Sequence, residues 1–147
     1  MDRPCILIDS REQLPLRFSD DVDVEIVGLP TGDYSLRGHT DRVAIERKSL
    51  PDLWACAGAE RDRFEAELAR LRAYQVRAVV IEATIDAVLC TIPRGRVQPA
   101  TVVRSTIAWS QDYACQFIWS GNATNAAAWT EFALCRIARK SSRERAA

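Results

Sequence analysis

Val43-Ala44-Ile45 runs directly into Glu46-Arg47-Lys48. If this is a strand, alternate side chains share a face, so Glu46 and Lys48 point one way and Arg47 the other. Upstream, twelve residues separate Asp33 from Glu46, a D-x12-E-x-K spacing. A hairpin over that interval can set the two carboxylates side by side. Such a pair repels, and each raises the other's pKa unless a cation lies between them. Hard oxygen ligands at that separation suit Mg²⁺ or Mn²⁺. A lysine on the same face can orient an attacking water, and these parts together meet the needs of phosphodiester hydrolysis. Asp9, at the end of another apolar run, and Asp52, just after Pro51, belong to the same acidic set. The spacing alone is loose, because a strand edge guarded by charges has the same composition. The apolar flanks "VAI" and "LPDLW" speak against an edge.

The elements that must position these residues are legible from periodicity. "CILIDSRE" (5–12) opens with four apolar residues and reads as a strand buried on both faces. "VDVEIVGL" (22–29) alternates and reads as a second strand. "DYSLR" and "RVAIERK" form a hairpin across the turn at Gly38. Pro51 sits well at a helix start, with Leu53, Trp54 and Ala57 on one face and Gly58 as a break. Phe64, Leu68 and Leu71 give the next helix, from about 60 to 74, its apolar stripe. A buried strand (77–83), a short helix (84–92), a helix begun by Pro99 (99–114) and a last strand (115–121) follow. The final helix carries Trp129, Phe132, Ala133 and Ile137 as its stripe, and 141–147 is expected to be a disordered tail. This order predicts one α/β domain over 1–140, a central mixed sheet flanked by helices.

Composition limits the partners. The 147 residues and 48% hydrophobic content support one real core. Lys plus Arg and Asp plus Glu are 20 each, so bulk charge announces no polyanion, although it hides any local basic surface. The five cysteines form no C-x-x-C pair, and one histidine cannot complete a zinc set. Reduced, core-filling thiols in a cytoplasm are expected. No run approaches the ~18 apolar residues that span a bilayer, so no membrane partner is expected. The four tryptophans read as core or interface residues, and His39 as an exposed loop residue. Arg94 and Arg96, beside Gly95, are candidates for phosphate contact.

The ordered series "LIDSRE", "TGDYSL", "AIERKSLPDL", "DRFEAEL" and "AVVIEA" is more specific than any of its parts. It resembles the nuclease domain of the XPF-like structure-specific DNA endonucleases, whose core is the restriction-endonuclease-like PD-(D/E)XK fold. The resemblance runs from about Cys5 to the last helix and implies a metal-dependent DNA endonuclease acting on branched or flap-type DNA in repair or recombination. By position, Asp33 and Glu46 would be ligands of Mg²⁺ or Mn²⁺, and Asp9 would complete the acidic pocket. Lys48 would place the water or stabilise charge on the phosphate. Arg11 and Arg47 would contact phosphate or brace the carboxylates, and Asp52 would support the site from the following helix. Arg63 matches a DNA-contacting arginine, whereas Asp62 and Glu67 depart from the family pattern. A homodimer is implied, formed by the segments C-terminal to the site. Relatives usually add a tandem helix-hairpin-helix module, for which 147 residues leave no room. Either a minimal stand-alone form of bacterial or phage type, at the nucleoid, or a fragment of a longer protein is therefore expected, with a separate DNA-binding partner as one option. The rival reading is an inactive DNA-binding or scaffold domain, and the complete acidic set with its lysine favours activity.

Overall fold

The computed structural model describes residues 3–93 and 95–147. The strands are β1 (Cys5–Asp9), β2 (Asp23–Val27), β3 (Tyr34–Leu36), β4 (Val43–Lys48), β5 (Val76–Ile81) and β6 (Gln116–Trp119). They form one mixed sheet in the order β2-β1-β3-β4-β5-β6, antiparallel only at β1–β3 and β3–β4. The helices are α1 (Leu50–Ala57), α2 (Arg61–Leu71), α3 (Ile85–Leu89), α4 (Pro99–Asp112) and α5 (Ala123–Ala146). The expected α/β architecture with helices on both sheet faces is what the chain forms.

Alternation along the central strands divides the core in two. Ala44 of β4 and Val79 and Ile81 of β5 face the layer that holds Leu53, Phe64 and Trp109 from α1, α2 and α4. Val43 and Ile45, with Val80, face the other layer, where Ala126 and Leu134 of α5 pack. Glu46 and Lys48 continue the first row beyond its apolar part, and Arg47 continues the second. The site residues are therefore the ends of two buried rows, placed by the same two-residue period that builds the core.

Local signals explain the element ends. Ser49 caps α1, its hydroxyl accepting from the Asp52 amide at 3.2 Å, with Pro51 in the first turn. Leu53 and Ala57 are buried as the periodicity predicts, and Gly58 caps the end. Phe64, Leu68 and Leu71 are buried along α2. Phe64 meets Trp109 edge-on at 4.9 Å between ring centroids and Phe117 at 6.4 Å.

Four expectations need correction. Residues 141–146 are helical, because α5 runs on to Ala146, and Arg143 and Arg145 in its last turn suit the negative end of the helix dipole. The stripe of α5 is rotated: Ala126, Ala127, Thr130 and Leu134 are buried, while Phe132 is 69% exposed. Small alanines let the helix lie close on the sheet, with Trp129 and Ile137 of the expected stripe partly buried against the same core and only Phe132 turned out. β2 does not bury one row, since Val24 and Ile26 are both exposed on an edge strand. His39 is buried, its Nδ1 accepting from the Arg42 guanidinium at 2.8 Å. The cysteines are free thiols, with Cys5, Cys56 and Cys115 buried as expected and Cys90 exposed. Among the described residues no helix is long and apolar enough to cross a membrane.

Phe64 joins the core to the lysine of the acidic set, because Lys48 Nζ stands 5.0 Å from its ring centroid. Phe64→Ala should lower the stability to urea by about 3–5 kcal/mol. Phe64→Leu, which keeps most of the volume, should cost clearly less. Equal unfolding midpoints for wild type and Phe64→Ala would contradict this packing.

Candidate active site

Asp33 is held by its backbone before its side chain does anything. Its amide donates to Ile45 O at 2.8 Å, and its carbonyl accepts from the Asp9 amide at 2.8 Å. Gly32 makes this approach possible. It has a φ of +81°, and a Cβ there would lie 3.2 Å from Ile45 O and 3.3 Å from Ala44 Cβ. The chain thus enters β3 with Asp33 against the end of β4. The Asp33 carboxylate accepts from the Arg47 amide at 2.8 Å and meets the Glu46 carboxyl directly.

That contact sets the electrostatics. Burial pushes the Glu46 carboxyl well above the ordinary range, and the adjacent Asp33 adds to it. Burial also raises Asp33, with Glu12 contributing, against the opposing Arg47 amide. Lys48 Nζ lies 3.4 Å from Glu46 Oε1 and 3.8 Å from Glu67 Oε2. Burial works against its charge, but Glu46, Glu67 and the other acidic neighbours outweigh it and hold the ammonium above its usual pKa. Glu67 Oε2 is buried, and among the described residues it has no hydrogen-bond donor.

These groups line one cavity of about 410 Å³, open at the ends of β3 and β4 and walled by α1 and α2. Asp33, Glu46, Lys48, Asp52 and Arg63 all reach it. Arg63 is mostly exposed there and pairs with Glu60 at 3.3 Å. Asp52 stands in the first turn of α1, as anticipated.

Asp9 is not brought into this cavity. It is 2% exposed, and both its oxygens are taken: Oδ1 by the Leu29 amide at 2.9 Å, Oδ2 by Arg11 Nε at 2.7 Å. Burial would raise its pKa, yet these donors win and lower it. In this arrangement Asp9 braces β1 against the 28–29 turn, and Arg11 neutralises Asp9. Arg47, on the opposite sheet face from Glu46, is held between Glu12 and Glu82. Glu12 also accepts from the Tyr34 hydroxyl at 2.7 Å. So Arg11 and Arg47 brace carboxylates, one of the two roles considered for them. Arg96 is exposed in the α3–α4 connection and does not line the cavity, while Arg94 lies outside the described residues.

Sequence reasoning assigned no role to Glu12, Glu82 or Glu67 in this network. Glu12 and Glu82 stood inside the quoted stretches "LIDSRE" and "AVVIEA", but their partnership with Arg47 spans 35 residues in each case and has no local signature.

The donor set fits a divalent cation. Asp33 and Glu46 are adjacent hard oxygen donors whose raised pKa values mean that a cation arriving there would displace protons. Among the described residues no group of three His, Cys, Asp or Glu side chains closes a complete cage. Two carboxylates beside an open cavity leave room for water and a phosphate oxygen, as Mg²⁺ prefers.

The pair also gives a pH dependence. A carboxyl whose folded pKa lies above its unfolded value takes up a proton on folding, so its contribution is most favourable at low pH and is lost as pH rises through the folded pKa. Without divalent metal, Glu46→Gln should therefore raise the melting temperature at pH 8, by roughly 4 °C for about 1 kcal/mol, and much less at pH 5. Comparing the variant with wild type removes the opposite trend of His39, whose pKa burial lowers. Mg²⁺ or Mn²⁺ should stabilise the wild type at pH 8 and leave Glu46→Gln nearly unmoved. A variant that melts lower than wild type at pH 8 would contradict a desolvated pair.

The chain is similar in fold to XPF from Aeropyrum pernix, with a TM-score of 0.69 and 22% identity over 95% of this chain and 69% of that one. It is equally similar to XPF from Aeropyrum pernix in complex with DNA, with a TM-score of 0.70 and 23% identity over 95% and 66%. No curated protein sequence matches it significantly. The ERCC4 domain model matches residues 8–132, most of the chain, and that span contains the whole acidic cavity. The chain belongs to the ERCC4 domain family, the XPF-like group that its motifs resemble.

Proposed function

We propose that the protein is a metal-dependent DNA endonuclease that hydrolyses phosphodiester bonds in branched or flap-type DNA. One observation carries this reading: Asp33, Glu46 and Lys48 share one cavity at the end of the sheet, in a chain of the ERCC4 domain family. A neighbour of the same fold is known in complex with DNA, which supports DNA as the partner.

Asp33 and Glu46 would hold Mg²⁺ or Mn²⁺. When bound, the ion supplies Lewis-acid polarisation of the phosphate and favours an attacking hydroxide. The chain's own residues do the rest. The Arg47 amide and the Gly32 turn fix the Asp33 carboxylate, so no reorganisation is needed when substrate arrives. Lys48, half enclosed by Glu46, Glu67 and the Phe64 ring, carries a fixed positive charge towards the cavity. It opposes the negative charge that builds on the phosphate as the water oxygen bonds to phosphorus and the ester oxygen leaves. Arg63, exposed at the rim, suits a phosphate further along the strand. Ile107 of α4 and Phe132 of α5, both large and exposed, are the apolar candidates for a homodimer contact.

Cleavage of flap, fork, splayed-arm and linear DNA tests the reading. Activity should require Mg²⁺ or Mn²⁺, fail with Ca²⁺, which prefers longer bonds and more ligands, and vanish in EDTA. Lys48→Ala should keep fold, metal binding and DNA binding, yet lose on the order of a hundredfold in rate. Lys48→Arg should restore only part of it, because a planar fork does not replace a compact ammonium. Near wild-type cleavage by Lys48→Ala would leave the lysine as a structural charge. DNA binding with no cleavage under any metal would favour a scaffold.

Sedimentation provides a separate check on the dimer. Wild type should exceed 16.5 kDa at micromolar concentration, and Phe132→Glu should shift it towards that mass. A wild type that stays at 16.5 kDa would remove the dimer.

A further inference from the structure

A second hollow, of about 550 Å³, adjoins the acidic cavity, and Arg47 lines both. Its character is different. Leu14, Pro15 and Arg17 of the β1–β2 connection form one side, and Ala123 and Ala127 of the first turns of α5 form the other. Leu14 is 80% exposed, a large apolar side chain turned towards solvent at the lip of the site.

The connection that carries Leu14 is pinned. Leu14 O accepts from the Arg47 guanidinium, and the Leu16 amide donates to the Tyr34 hydroxyl at 2.9 Å. Further on, the Ser19 amide donates to Glu131 of α5 at 2.8 Å. These bonds fix the backbone at Leu14 and beyond it and leave its side chain exposed. The facing alanines are short, so the hollow stays a slot and does not close. Arg17 is exposed at its rim.

We propose that this slot seats the base of an unpaired nucleotide beside the phosphate held at the Asp33–Glu46 pair, and so reads the break between single and double strand. The inference rests on the nuclease reading above. An aromatic base has two apolar faces that Leu14, Pro15 and the alanines can contact. A base inside continuous duplex has both faces stacked and its edge paired, so it cannot enter without an unstacking cost of a few kcal/mol. An unpaired base has already met that cost. Arg47 lines both hollows and so joins the slot to the cavity of the acidic pair. Arg17 and Arg63, at the rims of the two hollows, suit the phosphates on either side.

The test uses a forked DNA carrying 2-aminopurine at the unpaired nucleotide next to the junction. In EDTA, binding to wild type should change the fluorescence of that base, and binding to Leu14→Ser or to Ala123→Phe, which fills the slot, should not. With metal, both variants should lose roughly tenfold or more in cleavage of the fork, as removal of a base-packing contact does. Cleavage of continuous duplex should stay near wild type, and an abasic site at the same position should abolish the difference between wild type and Leu14→Ser. An unchanged fluorescence response in both variants would overturn the proposal, as would equal losses on fork and duplex. If wild type cuts no DNA at all, the nuclease reading falls, while the fluorescence in EDTA still decides whether the slot takes a base.

Discussion

Two carboxyls in contact at the end of a buried strand pair set the terms for the rest of this molecule. Glu46 and Asp33 are both pushed towards their protonated forms by desolvation, and each stands in the other's field. A chain optimised for stability alone would have no reason to keep them together. What keeps them is geometry imposed from outside the pair. The left-handed Gly32 brings Asp33 against Ile45, the amide of Arg47 fixes its carboxylate, and the strand period aims Glu46 at the same point. The energy that holds this arrangement comes from the two apolar layers on either side of the sheet.

The charges near the sheet end fall into two kinds. Asp9 with Arg11, and Arg47 with Glu12 and Glu82, are satisfied groups whose partners lie within hydrogen-bond reach. They tie the β1–β2 connection to β4 and β5. Glu46, Lys48 and Glu67 are different. Their ion pairs are longer, at 3.4 and 3.8 Å, and among the described residues Glu67 Oε2 accepts no hydrogen bond. Incompletely paired buried charges in a cavity are the pattern that clusters at functional sites. Arg47 and Lys48 leave β4 on opposite faces, yet both line the cavity of the acidic pair.

The zero net charge also takes on meaning in three dimensions. The acidic pair lies at the bottom of its cavity, while Arg63 and Arg17 stand exposed at the rims of the two adjoining hollows. Exposed arginines thus stand beside the buried acidic pair, together with the exposed Asp52 and Glu60. Local placement does what the overall charge balance does not.

The sequence by itself determined most of the elements and the central acidic set. Continuous apolar runs made β1, β4 and β5 legible, a proline marked the start of α1, and Phe64, Leu68 and Leu71 marked α2. The D-x12-E-x-K spacing, loose by itself, gained its force from the ordered motif series around it, and a hairpin and a strand period, both local rules, then bring Asp33, Glu46 and Lys48 together. Tertiary structure decided what local rules do not reach. Asp9 looked equivalent to Asp33, since both stand beside apolar strands, yet the Leu29 amide, twenty residues away, and Arg11 take its oxygens. Arg47 found Glu82 across 35 residues of chain. His39 was buried by the fold around a turn that reads as exposed, and α5 chose its alanines over Phe132 because close approach to the sheet favours small side chains. The slot beside Leu14 exists only because the β1–β2 connection and the start of α5, more than a hundred residues apart, meet across Arg47. Contacts between distant segments depend on how whole layers pack, and no short stretch of sequence carries that information.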